Sequence, residues 1–287
     1  MTPSGSVLSP RDAPAAPLGG RLTAPYAGAV LLAYDDDGSG RAVLLLHAGV
    51  ADRRMWDPVV PSLSHSFRVV RPDLRGFGET PLPPEEYADA DDLDALLDSL
   101  GITDAAVVGS SFGGRVALEL ATLHSARVSS LVLLCTALRG VEPTPDVLAF
   151  GQEEGRLLEA GDVDGAVELN VRTWLGPEGD DSARQLVASM QRRAFEVQLA
   201  ADVLVPRPVQ RTVEVRPEDI SVPTTVVSGG HDLQLFRDVA ARLAREVQGA
   251  DAVELAWAGH LPSLERPDAV LALLLDVLRD DPTVHAP

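Results

Sequence analysis

Six short runs recur along this chain with helical patterns between them: "AVLLLH" (Ala42 to His47), "FRVV" (Phe67 to Val70), "AAVVG" (Ala105 to Gly109), "VSSLVLLC" (Val128 to Cys135), "TTVVSG" (Thr224 to Gly229) and "AVELAW" (Ala252 to Trp257). Several are apolar at every position, the pattern of strands covered on both faces. Between them lie segments such as Asp89 to Leu100, where Leu93, Leu96, Leu97 and Leu100 share one face, acidic residues fill the first turn and Gly101 ends the pattern. A strand and helix alternation of this kind builds a mostly parallel α/β sheet.

The alternation breaks across residues 139–218, where helical patterns at Val147 to Ala160, Val163 to Leu175 and Ser182 to Ala201 follow one another, separated and closed by "GVEPTP", "GPEGDD" and "VPRP". Helices inserted between two sheet strands are expected to form a cap over one end of the sheet. The organisation expected is thus a flexible N-terminal arm over 1–20, rich in Pro, Ala, Gly and Ser, a core made of 21–138 and 219–287, and a helical cap over 139–218.

Charge narrows the partners. The 24 basic side chains against 43 acidic ones give a formal charge of -19, and no local basic run offsets it, so nucleic acid and anionic membrane are not expected. A small-molecule substrate is the expected partner, and the sequence does not specify an oligomeric state. The single cysteine, Cys135, can form no internal disulfide and sits in an apolar run, which assigns it to core packing. The first residues lack the charged start and apolar stretch of a signal peptide, and no later run reaches membrane-spanning length. A cytoplasmic location is the expectation.

The chemistry begins at "VVGSSFGGRVAL" (Val107 to Leu118), where an apolar run passes into an amphipathic one through glycines. Of its two serines only Ser111 fits a GxSxG spacing, between Gly109 and Gly113. That pattern is a strand-to-helix turn so sharp that side chains two residues either side of the serine would collide, and it lifts the hydroxyl above the sheet. The bland alternative is a Gly-rich bend. A serine hydroxyl needs a base to take its proton, and a third group to orient that base. Of six histidines, His260 in "AWAGHLPSLERPD" follows the last strand-like run, where a loop brings it to the carboxyl ends of the strands. His285 lies in the tail, His65 and His124 on polar segments, and His231 precedes a better acid candidate. That acid is Asp232 in "VVSGGHDLQ", directly after the preceding strand-like run. Ser111, Asp232 and His260 then stand in the chain order that accompanies such a serine turn. Helix capping is the alternative for Asp232, and a structural loop role the alternative for His260.

An oxyanion needs two backbone donors. One is the N–H of Phe112, just after the serine; the other is assigned to Gly49 in "LLLHAGVADRRMW", with Ala48 or Val50 one register away. His47 is read as shaping that loop. No cofactor and no metal enter this chemistry.

With these residues in place, the chain resembles the α/β-hydrolase superfamily from about Leu22 to Leu278. "PDLRGFGET" (Pro72 to Thr80) resembles the DxRGxGxS-type loop of capped members and "AGHLPSLERPD" their GHxxxxExP segment. The resemblance implies an α/β-hydrolase fold, an eight-stranded mostly parallel sheet flanked by helices, with an α-helical cap inserted after strand 6. It departs from the usual pattern in "HAG" where many members have "HG", and in Thr80 where Ser is common. The texture is most similar to small bacterial carboxylesterases and enol-lactonases. It implies hydrolysis of a small ester or lactone through an acyl-Ser111 intermediate. A C–C bond hydrolase, an acyl-transferring or cyclising enzyme, and a ligand-binding homologue with little turnover are the alternatives. Val50, Trp56, Trp174 and Phe236 are the candidates to line an apolar pocket, with core packing the competing role for each aromatic one.

Overall fold

A computed structural model of the chain describes residues 32–279. The expected arm over 1–20 and His285 lie outside the described residues. Nine strands and nine α-helices are described. The strands are β1 (Tyr34–Gly38), β2 (Ala42–Leu46), β3 (Arg68–Pro72), β4 (Glu86–Tyr87), β5 (Ala105–Ser110), β6 (Val128–Leu134), β7 (Val209–Gln210), β8 (Thr224–Gly229) and β9 (Asp251–Leu255). The helices are α1 (Val60–Leu63), α2 (Asp89–Ser99), α3 (Phe112–Leu123), α4 (Pro145–Glu159), α5 (Val163–Trp174), α6 (Asp181–Ala200), α7 (Gln234–Glu246), α8 (Pro262–Glu265) and α9 (Pro267–Arg279).

Seven strands form the main sheet in the order β1-β3-β2-β5-β6-β8-β9, parallel throughout except for β1 against β3. Among the described residues the sheet therefore has seven strands where the resemblance implied eight. Edge strand β1 reads "YDDDG" and carried no strand signal, because an edge strand tolerates acidic residues that a central one does not. Strands β4 and β7 pair with each other over two residues as a separate small sheet. β7 thus places a short strand inside the segment read from sequence as purely helical.

The unbroken apolar runs are explained by burial on both faces. Val43, Leu45, Ala106, Val108, Val132 and Leu134 point into one core, while Leu44, Leu46, Val107, Leu131 and Leu133 point into the other. Successive side chains of a strand face opposite ways, so two cores demand apolar residues at every position. Helices α2, α3 and α7 cover the second core; α1 and α9 contribute to the first, which also takes in Val147, Phe150, Leu169, Trp174, Val187 and Met190 of the inserted helices α4 to α6. The insertion is therefore packed on the sheet's own core. No described helix is long and apolar enough to cross a membrane.

The chain proceeds from β2 outward to β3 and then returns to β5 on β2's other side. Where the winding reverses, the loops leaving β2 and β5 diverge and leave a crevice at the carboxyl ends of the strands. Leu46 pairs with Gly109, Ser110 with Leu134, and Leu134 with Val227, so the segments that follow these strands emerge side by side.

Candidate active site

β5 ends at Ser110 and α3 begins at Phe112, leaving Ser111 alone to turn the chain. Its backbone has φ 51° and ψ -110°, a conformation that costs a non-glycine residue about 1–3 kcal/mol and persists only when its surroundings fix it. They do: the Ser111 N–H donates to Leu134 O at 2.9 Å, and its carbonyl accepts from Arg115 N and Ala137 N, each at 3.1 Å. A Cβ on Gly109 would lie 2.5 Å from Gly113 O, one on Gly113 2.6 Å from His47 O, and one on Gly114 would overlap the Thr136 hydroxyl. Glycine is required at these positions by contact with backbone and packed side chains. Ser110 points away, fully buried, its hydroxyl without a partner among the described residues.

His260 lies on the loop between β9 and α8, and Asp232 on the loop between β8 and α7. The Nδ1 of His260 is 2.8 and 2.9 Å from the two carboxylate oxygens of Asp232, and its Nε2 is 2.7 Å from Ser111 Oγ. An ionised carboxylate only accepts, so Nδ1 carries the proton and Nε2 is left to accept from the serine hydroxyl. The Asp232 and His260 side chains are 1% and 3% exposed, so the dipoles act in a low dielectric. Asp232 does not cap α7, whose N-cap residue is Leu233. The three residues picked out by chain order are therefore one hydrogen-bonded line.

Beside Ser111, the Phe112 amide heads α3 with no helical acceptor. A Cβ on Gly49 would be 3.5 Å from the Phe112 Cβ, which puts the two residues side by side. Among the described residues neither amide donates to a protein acceptor, whereas the Ala48 N–H is taken by Met55 Sδ at 3.2 Å. Of the three candidates Ala48 is engaged, while the Gly49 and Val50 amides have no protein acceptor among the described residues. His47 holds this arrangement. Its Nε2 accepts from Leu74 N at 3.0 Å, so Nδ1 bears the proton and donates to Ala48 O at 2.8 Å. That carbonyl shares a planar peptide with the Gly49 N–H, so anchoring one end aims the other. Burial pushes the His47 pKa down, which keeps the ring neutral for this role.

Trp174 and Phe236 pack on the His260 ring, with centroids 4.7 and 4.1 Å away. Trp174 is steadied by its indole N–H donating to Asn170 at 3.0 Å, with Asn170 in turn donating to Glu154 at 2.6 Å. Val50 is buried beside Gly49, while Trp56 is fully buried as part of the sheet's first core. Cys135, the residue after β6, is buried, and its sulfur lies with an Asp232 oxygen and a His260 nitrogen within 4.8 Å of one another. Burial, then the neighbouring Asp232 charge, pushes its thiol well above the usual range, so it packs as a neutral group.

Sequence reasoning missed Glu265. This carboxylate, 6% exposed, accepts the Gly259 N–H at 2.9 and 3.0 Å and also the Gly176 N–H, tying the residue before His260 to the loop after α5. Its signal was present in the GHxxxxExP segment, but only the fold brings Gly176 to it. Burial raises its pKa, opposed by these backbone donors.

A strained serine at a topological switch point, joined through a histidine to a carboxylate, defines a class, and comparison with known proteins agrees. Residues 43–273 match the Alpha/beta hydrolase family, and the chain belongs to it. A pimeloyl-[acyl-carrier protein] methyl ester esterase of Neisseria meningitidis is 28% identical over 247 residues, 82% of this chain and 93% of that protein. Among solved structures, a thermophilic esterase from Thermogutta terrifontis matches with TM-score 0.71 at 28% identity, covering 87% of this chain and 93% of its own. The enol-lactonase from Burkholderia xenovorans LB400 matches with TM-score 0.71 at 26% identity, covering 87% of this chain and 96% of its own.

Proposed function

We propose that this hydrolase cleaves a small carboxylic ester or lactone through an acyl-Ser111 intermediate. The observation that carries the reading is the His260 ring, which meets Ser111 Oγ at 2.7 Å on one side and the Asp232 carboxylate at 2.8 Å on the other. As Ser111 Oγ bonds to the substrate carbonyl carbon, its proton passes to His260 Nε2, and Asp232 stabilises the imidazolium while holding its orientation. The carbonyl oxygen, now negative, is received by the Gly49 and Phe112 amides, whose donors are already in place. His260 then protonates the departing alkoxide, takes a proton from water as the water oxygen bonds to the acyl carbon, and returns that proton to Ser111 Oγ as the Oγ–acyl bond breaks and the acid leaves.

Ser111 is 8% exposed and Trp174 and Phe236 stand against His260, which favours a small, partly apolar substrate. Residues 139–218 act in this reading as a cap on a core of 21–138 and 219–287, with Trp174 its contribution to the pocket wall. The esterase and enol-lactonase neighbours support the substrate class. The test is a fluorophosphonate probe together with p-nitrophenyl esters and a lactone panel. Covalent label on Ser111 and loss of turnover in Ser111→Ala are expected; equal turnover by that variant would overturn the assignment.

A further inference from the structure

The chain has 43 acidic residues and 24 arginines, with no lysine at all, so carboxylates are in ample supply for its guanidinium groups. Most described arginines lie within 4.0 Å of one, among them Arg53, Arg75, Arg127 and Arg266. Arg172, near the end of α5, and Arg184, in the first turns of α6, have no such partner among the described residues, and both line the same cleft of about 330 Å³. Acids that could have neutralised them are engaged elsewhere. Glu153, which feels Arg172 at longer range, is bonded to Arg156 at 2.7 and 2.8 Å. Glu178 is bonded to Arg266 at 2.6 and 3.0 Å, and Asp180 caps α6 by accepting from Ala183 N at 2.8 Å. Thr173 and the exposed His231 add further polar groups to the same walls.

We propose that this cleft, at the seam between the inserted helices and the sheet, binds a small anionic group, a carboxylate or a phosphate. Both arginines are exposed on the cleft wall, where two like charges favour an anion, and their planar donor forks match the oxygen spacing of both groups. The position couples the site to the reaction. Gly259, on the cleft wall, precedes His260; His231 precedes Asp232 and its N–H donates to Ala258 O at 2.8 Å; and a Cβ on Gly259 would meet the Gly176 Cα at 2.5 Å. A bound anion therefore sits one residue from two members of the proposed triad and draws the loop after α5 onto them. It has two possible sources, an acidic group at the far end of the substrate or a free anion, and the first rests on the proposed hydrolysis.

The test uses the full chain and its R172A/R184A variant, with inorganic phosphate as the binding probe followed by calorimetry. The wild type is expected to bind phosphate and the variant to bind it at least about 10-fold more weakly. In parallel, KM is compared for mono-p-nitrophenyl glutarate, which carries a distal carboxylate, and for neutral p-nitrophenyl butyrate. A rise of about 10-fold for the acidic ester alone identifies a substrate group as the occupant. Loss of phosphate binding with an unchanged KM ratio identifies a free anion. Equal phosphate binding, or none, in both proteins together with an unchanged KM ratio overturns the site. Absence of turnover and of Ser111 labelling would sink the hydrolytic reading, and phosphate binding would still decide the site.

Discussion

Gly113→Ala tests the geometry on which the site depends. The added Cβ would stand 2.6 Å from His47 O and from Leu46 C, about 0.8 Å inside ordinary contact, and both atoms are backbone of the β2 end, with no rotamer to yield. Relief requires the start of α3 to retreat from β2 by most of that distance. The retreat carries Phe112 N and the strained Ser111 away from the Gly49 amide, although oxyanion geometry tolerates only about 0.5 Å. Overpacking of this kind costs about 1–3 kcal/mol of stability, and a displacement approaching 1 Å at the reacting centre costs about 100-fold in rate. The expected result is a fall of about 100-fold in kcat toward a p-nitrophenyl ester, with KM changed far less and a lowered Tm by calorimetry. Gly151→Ala is the matched control, because that exposed position in α4 has nothing within 4 Å of a new Cβ, and a gain of about 0.5–1 kcal/mol is expected. Wild-type kcat in Gly113→Ala would refute the claim that contact between α3 and β2 sets the oxyanion geometry.

Asp232→Asn should lower kcat by about 10⁴-fold with little change in Tm, because an amide beside Nδ1 favours the tautomer whose Nε2 proton faces Ser111; stopped assays against labelled-site concentration check it. Glu265→Ala leaves the buried Gly259 N–H without its acceptor, at about 1–3 kcal/mol, and frees the half-buried Gly176 N–H; both effects should show in urea unfolding and as a reduced kcat through the neighbouring His260. Asp89, fully buried at the start of α2, is pushed up to about 7 by desolvation. Since the folded state holds its proton more tightly than the unfolded one, its contribution is greatest below about pH 4 and declines until about pH 7. Asp89→Asn should flatten the Tm profile across that window and be the more stable protein at pH 8, by at most about 4 kcal/mol.

Much of the fold was legible because burial on two faces leaves a continuous apolar signature. The expected helices at Val147 to Ala160, Val163 to Leu175 and Ser182 to Ala201 correspond to Pro145–Glu159, Val163–Trp174 and Asp181–Ala200. β1 and the β4 and β7 pair were not legible. An exposed edge carries no hydrophobic pattern, and two-residue strands owe their existence to the partner rather than to their own sequence. The aromatic candidates Trp56, Trp174 and Phe236 all pack in the first core, and composition could not tell that Trp174 and Phe236 are the ones that also reach His260.

The sequence by itself determined the alternating architecture, the helical interruption and, through the spacing of "GSSFG", that Ser111 rather than Ser110 occupies the turn. These are local properties: periodicity, backbone sterics and chain order. Only the tertiary structure decided which groups meet. It spent the Ala48 amide on Met55 and left the Gly49 amide without an acceptor among the described residues, joined Glu265 to Gly176 across 89 residues, and brought Arg172 and Arg184 to the wall of one cleft. Hydrogen bonds and charge pairs between distant segments depend on distances of a few tenths of an ångström, and those are set by how the two cores pack, not by any pattern along the chain.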